Sequence, residues 1–140
     1  MGEDAAPRAF DGTLAALTPD RTVSAERLLA DLRDLALIGG RADGGVDRVA
    51  GSPADIEARL WLRGRMQAAG LEARADETNN VFGRLPRSTA PWLLVGSHTD
   101  TVPAGGRLDG AYGVIAALET LRALNEAGHP AASKVEVVSF

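Results

Sequence analysis

From Ser24 onward the apolar positions fall into periods that mark helices and strands in turn. Leu28, Leu32 and Leu35 recur at helical spacing behind Ser24, a residue suited to cap a helix, and Gly39-Gly40 stops the stripe. A helix is therefore expected through about Ile38. Arg41 to Gly51 is rich in Gly and Asp and is expected to be a loop. Ser52-Pro53-Ala54-Asp55 then places a cap residue, a proline at the first helical position and an acid at the third. This predicts a second helix ending at Gly70, with Ile56, Leu60, Trp61 and Met66 on its buried side.

Leu71 to Asp76 alternates as a half-buried strand, Thr78-Asn79-Asn80 has turn chemistry, and Val81 to Leu85 returns, so a hairpin is expected. Pro86 to Pro91 is a loop. Trp92-Leu93-Leu94-Val95 is a short apolar run of the kind buried on both faces of a sheet. A helix from about Gly110 to Ala127 follows, with Val114, Ala117, Leu118, Leu121 and Leu124 inward and Gly128 closing it. Val135 to Phe140 is another strand of the buried type. Strand, helix and strand make a βαβ unit, and the fold class is α/β. Residues 1–22, rich in Ala, Pro, Asp and Thr without a period, are expected to form a loose arm, and residues 23–140 one small domain or part of a larger one.

Composition narrows the chemistry. Apolar residues fill 45% of the 140 positions but aromatic residues only 4%, so Leu, Val and Ala must do the packing. The net charge is −4, and arginines are scattered without a basic run, which argues against nucleic acid or an anionic membrane as partner. There is no cysteine, so disulfides and thiolate metal sites are excluded, and any metal must be held by His, Asp or Glu. The opening MGEDAAPRAF lacks the apolar core of a signal peptide, and no apolar run approaches the ~20 residues of a membrane span. A soluble cytoplasmic protein is the expectation.

The densest chemistry lies in the loop after Val95, at the carboxyl end of a strand, where open α/β sheets bind ligands. One imidazole, His98, and two carboxylates, Asp100 and Asp109, crowd into a dozen residues. If the chain is extended there, His98 and Asp100 point to the same side. Asp100 is then placed to accept the second N–H of a metal-binding histidine and fix its tautomer. Asp109, just before a helix, can offer two oxygens to metal ions. Glycines at 105, 106, 110 and 113 permit tight turns and close approach. Each residue also has a plainer reading: Asp109 as a helix cap, His98 as a core histidine, Asp100 as a loop acid. His129, between Gly128 and Pro130, is expected to stabilise a helix C-terminus or face water. Glu119 and Glu126 are expected on a solvated helix face, Asn79 and Asn80 in a turn. Tyr112 is an open candidate for the pocket.

The run Gly96-Ser97-His98-Thr99-Asp100-Thr101-Val102-Pro103-Ala104-Gly105-Gly106-Arg107-Leu108-Asp109-Gly110-Ala111-Tyr112-Gly113-Val114 resembles the signature of the hydantoinase/carbamoylase branch of the zinc-dependent amidohydrolases and metallopeptidases. That branch includes N-carbamoyl-L-amino-acid hydrolases, allantoate amidohydrolases and β-ureidopropionases. The likeness runs from about Ser24 to Phe140, including Ser52-Pro53-Ala54-Asp55 and Asn80-Val81-Phe82-Gly83. It implies an αβα sandwich of the zinc-peptidase type, incomplete here. It also implies His98 as a zinc ligand, Asp109 as a bridge between two zinc ions and Asp100 as the catalytic-site residue that orients His98. Mn²⁺, Co²⁺ and Ni²⁺ accept similar ligands.

The resemblance further implies hydrolysis of a linear amide or ureido C–N bond in a small substrate such as an N-carbamoyl amino acid, by a homodimeric parent enzyme. The family's paired glutamates, which follow the strand ending here at Phe140, its two further histidine ligands and its lid or dimerisation domain have no counterpart in these residues. A catalytic zinc normally has three protein ligands and an open position, so this chain is expected to be an N-terminal part of a catalytic domain, inactive alone. Two alternatives stand beside it: an aminoacylase or exopeptidase with the same metal chemistry, and a non-catalytic remnant. The terminal apolar strand is expected to be an unprotected edge prone to aggregation.

Overall fold

The computed structural model describes residues 23–140; the arm expected over residues 1–22 lies outside the described residues. Helix α1 spans Ala25–Leu37 and α2 spans Pro53–Ala68. Strands β1 (Glu72–Ala75) and β2 (Val81–Arg84) follow, then β3 (Leu93–Ser97), α3 (Ala111–Glu126) and β4 (Val135–Ser139). Both serine caps are where the sequence puts them: the Ser24 hydroxyl accepts the Arg27 N–H and the Ser52 hydroxyl the Asp55 N–H, each at 3.2 Å. Asp55 returns the favour to the chain before it, accepting the Gly51 N–H at 2.9 Å, which completes the reciprocal arrangement of a helix start.

The four strands form one mixed sheet in the order β1-β2-β4-β3. β1 pairs antiparallel with β2 as the expected hairpin, and β3 runs parallel to β4 on either side of the α3 crossover, as expected of the βαβ unit. The hairpin turn is built by Asp76, whose carboxylate accepts the backbone N–H groups of Thr78 and Asn80 and the Asn80 side-chain amide. All three helices lie on one face of the sheet. Leu32, Leu35, Leu62, Met66, Ile115, Leu118 and Leu121 close over Val81, Val135 and Val137 in one core. The opposite face carries no helix among the described residues. Glu136 is shielded there by the guanidinium groups of Arg74 and Arg84, which also lie over the rings of Phe82 and Trp92.

Four expectations need correction. On α2, Ile56 and Leu60 are more than half exposed, and the buried stripe is Asp55, Ala58, Leu62 and Met66; only Met66 was placed correctly, with Trp61 half-buried. Two apolar stripes run along this helix, about 200° apart at 100° per residue. The one that reaches the sheet is the narrower one, because Gly83 leaves room for the Met66 thioether. Strand β3 is not buried on both faces: Leu93 is 65% and Leu94 44% exposed, because β3 is an edge of the sheet.

Conversely, β4 is no edge. It is buried along its length between β2 and β3, so the exposed apolar edge belongs to β3. Finally, Glu119 does not face solvent. It is wholly buried, accepting the Ser24 N–H at 2.8 Å and two Arg27 guanidinium bonds at 2.6 and 2.8 Å. Glu126 is exposed but also pairs with Arg27.

A short 3-10 turn at Pro130–Lys134, not foreseen, joins α3 to β4. His129 caps this turn rather than the end of α3: its Nδ1 accepts the Ala131 N–H at 3.1 Å.

Candidate functional site

Strand β3 hands directly to His98, so the imidazole emerges at the carboxyl end of a parallel strand. The loop that follows does not hang free. Val46 forms bridges to both Gly40 and Gly105, and the Thr101 N–H donates to the Arg48 carbonyl while the Thr101 hydroxyl accepts the Arg48 N–H. The connection between α1 and α2 is thus a second wall of the site. It reads as a plain loop in the sequence but is clamped onto residues 99–105.

His98 is half-buried. Its Nδ1 lies 3.0 Å from the Asp100 carbonyl oxygen and 3.3 Å from the Asp100 carboxylate Oδ1. Both are acceptors when Asp100 is ionised, so Nδ1 carries the proton in the neutral ring and Nε2 keeps its lone pair. Nε2 has no hydrogen-bond partner among the described residues. The expectation that Asp100 faces the ring holds geometrically, with one addition: the Asp100 backbone carbonyl is nearer than its carboxylate.

Asp109 is exposed, and the plain cap reading fails for it. The N-cap of α3 is Gly110 at φ +66°, and no side chain caps this helix. The Asp109 carboxylate accepts no hydrogen bond among the described residues, so both oxygens are free. Gly110 brings the two together. A Cβ at this position would sit 2.5 Å from His98 Cε1 and 2.6 Å from Nδ1, so the ring edge rests on the residue after Asp109. Gly113 similarly lets α3 approach Ser97. Gly106 has no such close neighbour, and its freedom is not needed for packing. Tyr112 is exposed.

The donor chemistry of this corner suits a metal ion of the zinc type: one bare imidazole nitrogen and one unclaimed carboxylate on adjoining backbone. It is a partial set. Among the described residues no three His, Asp or Glu side chains gather closely enough to hold one ion. His98 and Asp109 are the residues that would hold it, and no further ligand comes from these residues.

Three residues of the site were missed. Arg48 is fully buried, and its guanidinium donates to the carbonyls of Thr99 (2.6 Å), Leu35 (2.8 Å) and Ile38 (2.7 Å). Thr99 is buried with its hydroxyl 3.2 Å from that of Ser139, tying the loop to β4. The Thr101 hydroxyl accepts the Arg48 N–H at 3.0 Å and donates to the Val46 carbonyl at 3.1 Å. The one available signal was Val46 and Val49 framing Arg48 inside a glycine-rich stretch. Burial pulls the Arg48 pKa down, partly opposed by the charges of Asp55 and Asp100.

The pattern of Peptidase family M28 matches residues 80–140. Allantoate amidohydrolase of Bacillus subtilis (strain 168) is 43% identical over 108 residues, covering 76% of this chain and 26% of that protein. N-carbamoyl-L-amino-acid amidohydrolase of Pseudomonas sp. (strain NS671) is 40% identical over 121 residues, covering 85% and 29%. The crystal structure of an amidase of the hydantoinase/carbamoylase family from Burkholderia phymatum superposes with a TM-score of 0.77 at 47% identity, covering 85% of this chain and 29% of that one. The chain therefore spans between a quarter and a third of the length of the relatives it matches. Over the residues it spans, the chain is similar to amidases of the hydantoinase/carbamoylase family, and its residues 80–140 match Peptidase family M28.

Proposed function

We propose that this chain supplies one corner of a two-zinc site in a hydrolase that cleaves a linear ureido or amide C–N bond. The observation that carries the reading is the packing of the His98 ring, whose Nε2 has no partner among the described residues, against Gly110, the residue after an Asp109 that caps no helix. His98 binds through Nε2. Asp100 holds the proton on Nδ1 and so keeps the ring in the binding tautomer. Asp109 would supply its carboxylate to the metal site. When bound, such ions polarise a carbonyl and lower the pKa of a bound water towards about 7.

The substrate class we assign is an N-carbamoyl amino acid or a similar small ureido acid, supported by the relatives named above. An exopeptidase of the same metal chemistry is the second reading, favoured by the M28 match. The parent enzyme is a homodimer in this account and works in the cytoplasm. No helix among the described residues is long and apolar enough to cross a membrane. Residues 23–140 form the N-terminal part of the catalytic domain, and the 140-residue chain alone does not turn over substrate.

Calorimetric titration of the purified chain with Zn²⁺, beside a His98→Ala variant, tests this. Binding that the variant loses supports the assignment; equal binding by both proteins contradicts it. Zinc-dependent release of a carbamoyl group by the chain alone would overturn the statement that it is inactive.

A further inference from the structure

We propose that Arg48 is a positioning residue that fixes the orientation of His98 towards Asp100, by gripping the peptide between them from inside the fold. The proposal deepens the metal-site reading above and rests on it for its functional meaning.

Three contacts from one residue converge on the segment. Nε of Arg48 donates to the Thr99 carbonyl at 2.6 Å, its backbone N–H donates to the Thr101 hydroxyl at 3.0 Å, and its own carbonyl accepts the Thr101 N–H at 2.8 Å. Thr99 lies between His98 and Asp100 in the chain. Because His98 Nδ1 bonds to Asp100 two residues on, the rotation of that intervening peptide decides whether the pair can form. The other end of the guanidinium is anchored at the C-terminal end of α1, on the carbonyls of Leu35 and of the C-cap residue Ile38, where the helix dipole favours a cation. The site loop is thereby referenced to a rigid helix rather than to solvent.

A scaffold role alone does not account for the choice of residue. Arg48 is 0% exposed and, among the described residues, forms no ion pair and leaves its second terminal nitrogen buried without a partner. Burying an unpaired charge among neutral carbonyls is unfavourable, and an apolar side chain would join α1 to the loop at lower cost. What arginine alone adds is a planar fork that reaches two carbonyls at the end of α1 and the Thr99 carbonyl at once.

The test uses the chain with its two histidines, and reads the His98 tautomer by long-range ¹H–¹⁵N correlation, with His98→Gln to assign the signals. Wild type is expected to hold the Nδ1–H form. Arg48→Met and Arg48→Lys are expected to keep the far-ultraviolet spectrum while His98 shifts to a mixture dominated by Nε2–H, the usual preference of a free imidazole. Zn²⁺ binding should weaken about tenfold or more. Thr101→Val, which loosens the same grip from the loop side, should move the tautomer in the same direction. A folded Arg48→Met chain with an unchanged His98 tautomer overturns the proposal. Failure of both arginine variants to fold also overturns it, since Arg48 would then belong to the scaffold. If wild type binds no zinc, the metal-site reading fails, while the tautomer readout still decides the role of Arg48.

Discussion

Gly110 lies against His98 so closely that a methyl group on it would sit 2.5 Å from both the ring Cε1 and the His98 carbonyl oxygen. It also holds φ at +66°, where residues with a Cβ are strained. Gly110→Ala must therefore move the ring or the start of α3. We expect a loss of about 2 kcal/mol or more in urea unfolding, together with loss of zinc binding by calorimetry. Unchanged stability and affinity would mean that the contact is slack.

Asp31, wholly buried on α1, pairs with Arg122 of α3 at 2.6 Å and with Arg65 of α2. One carboxylate thus joins all three helices. Asp31→Ala leaves the buried Arg122 guanidinium with only its longer contact to Glu119, at 3.6 Å. The expected cost is about 3–5 kcal/mol, read as a drop in the urea midpoint. A change below 1 kcal/mol would show that water replaces the pair.

Glu119 supplies a pH dependence. Burial pushes its carboxyl up, but the Arg27 guanidinium and the Ser24 N–H outweigh burial and hold it below the ordinary value near 4.5. A depressed carboxyl stabilises the fold above its unfolded value, and that stability is lost as pH falls through the folded one. Unfolding free energy should therefore decline as pH drops below about 4.5. Glu119→Gln should cost roughly 1–2 kcal/mol at pH 7, a modest figure because Arg27 is partly exposed. It should also flatten the acid slope. An identical slope in the variant would assign the acid sensitivity elsewhere.

Much of this was legible in the sequence because it is local. The Ser24 and Ser52 caps, the Asp76–Asn80 turn and the β3-α3-β4 unit each depend on residues a few positions apart. The motif from Gly96 to Gly110 placed His98, Asp100 and Asp109 in one loop. What escaped depends on long-range partners. Glu119 reads as a solvated helix position because Arg27 is 92 residues away. Arg48 reads as loop because its partners, Thr99 and Leu35, lie on other elements. The buried face of α2 was ambiguous because Ile56-Leu60 and Ala58-Leu62-Met66 are both apolar stripes, and only Gly83 across the interface decides between them.

The exposed edge at β3 has a consequence for the isolated chain. Leu93 and Leu94 stand on a strand whose outer side pairs with nothing among the described residues. Such edges template association. The chain is expected to associate with rising concentration in sedimentation velocity, and Leu93→Lys to suppress this without changing the melt. A monodisperse wild-type chain at high concentration would refute it.

We propose that His98 and Asp109 take the same ion. Co²⁺, which accepts imidazole and carboxylate ligands, broadens nearby amide signals in a ¹H–¹⁵N spectrum. Signals of His98 and of Asp109 to Ala111 are expected to vanish together as Co²⁺ is added, and His98→Ala to abolish the effect at both. Broadening centred instead on the exposed Asp43 and Asp47 beside Arg41, or surviving in the variant, would contradict it.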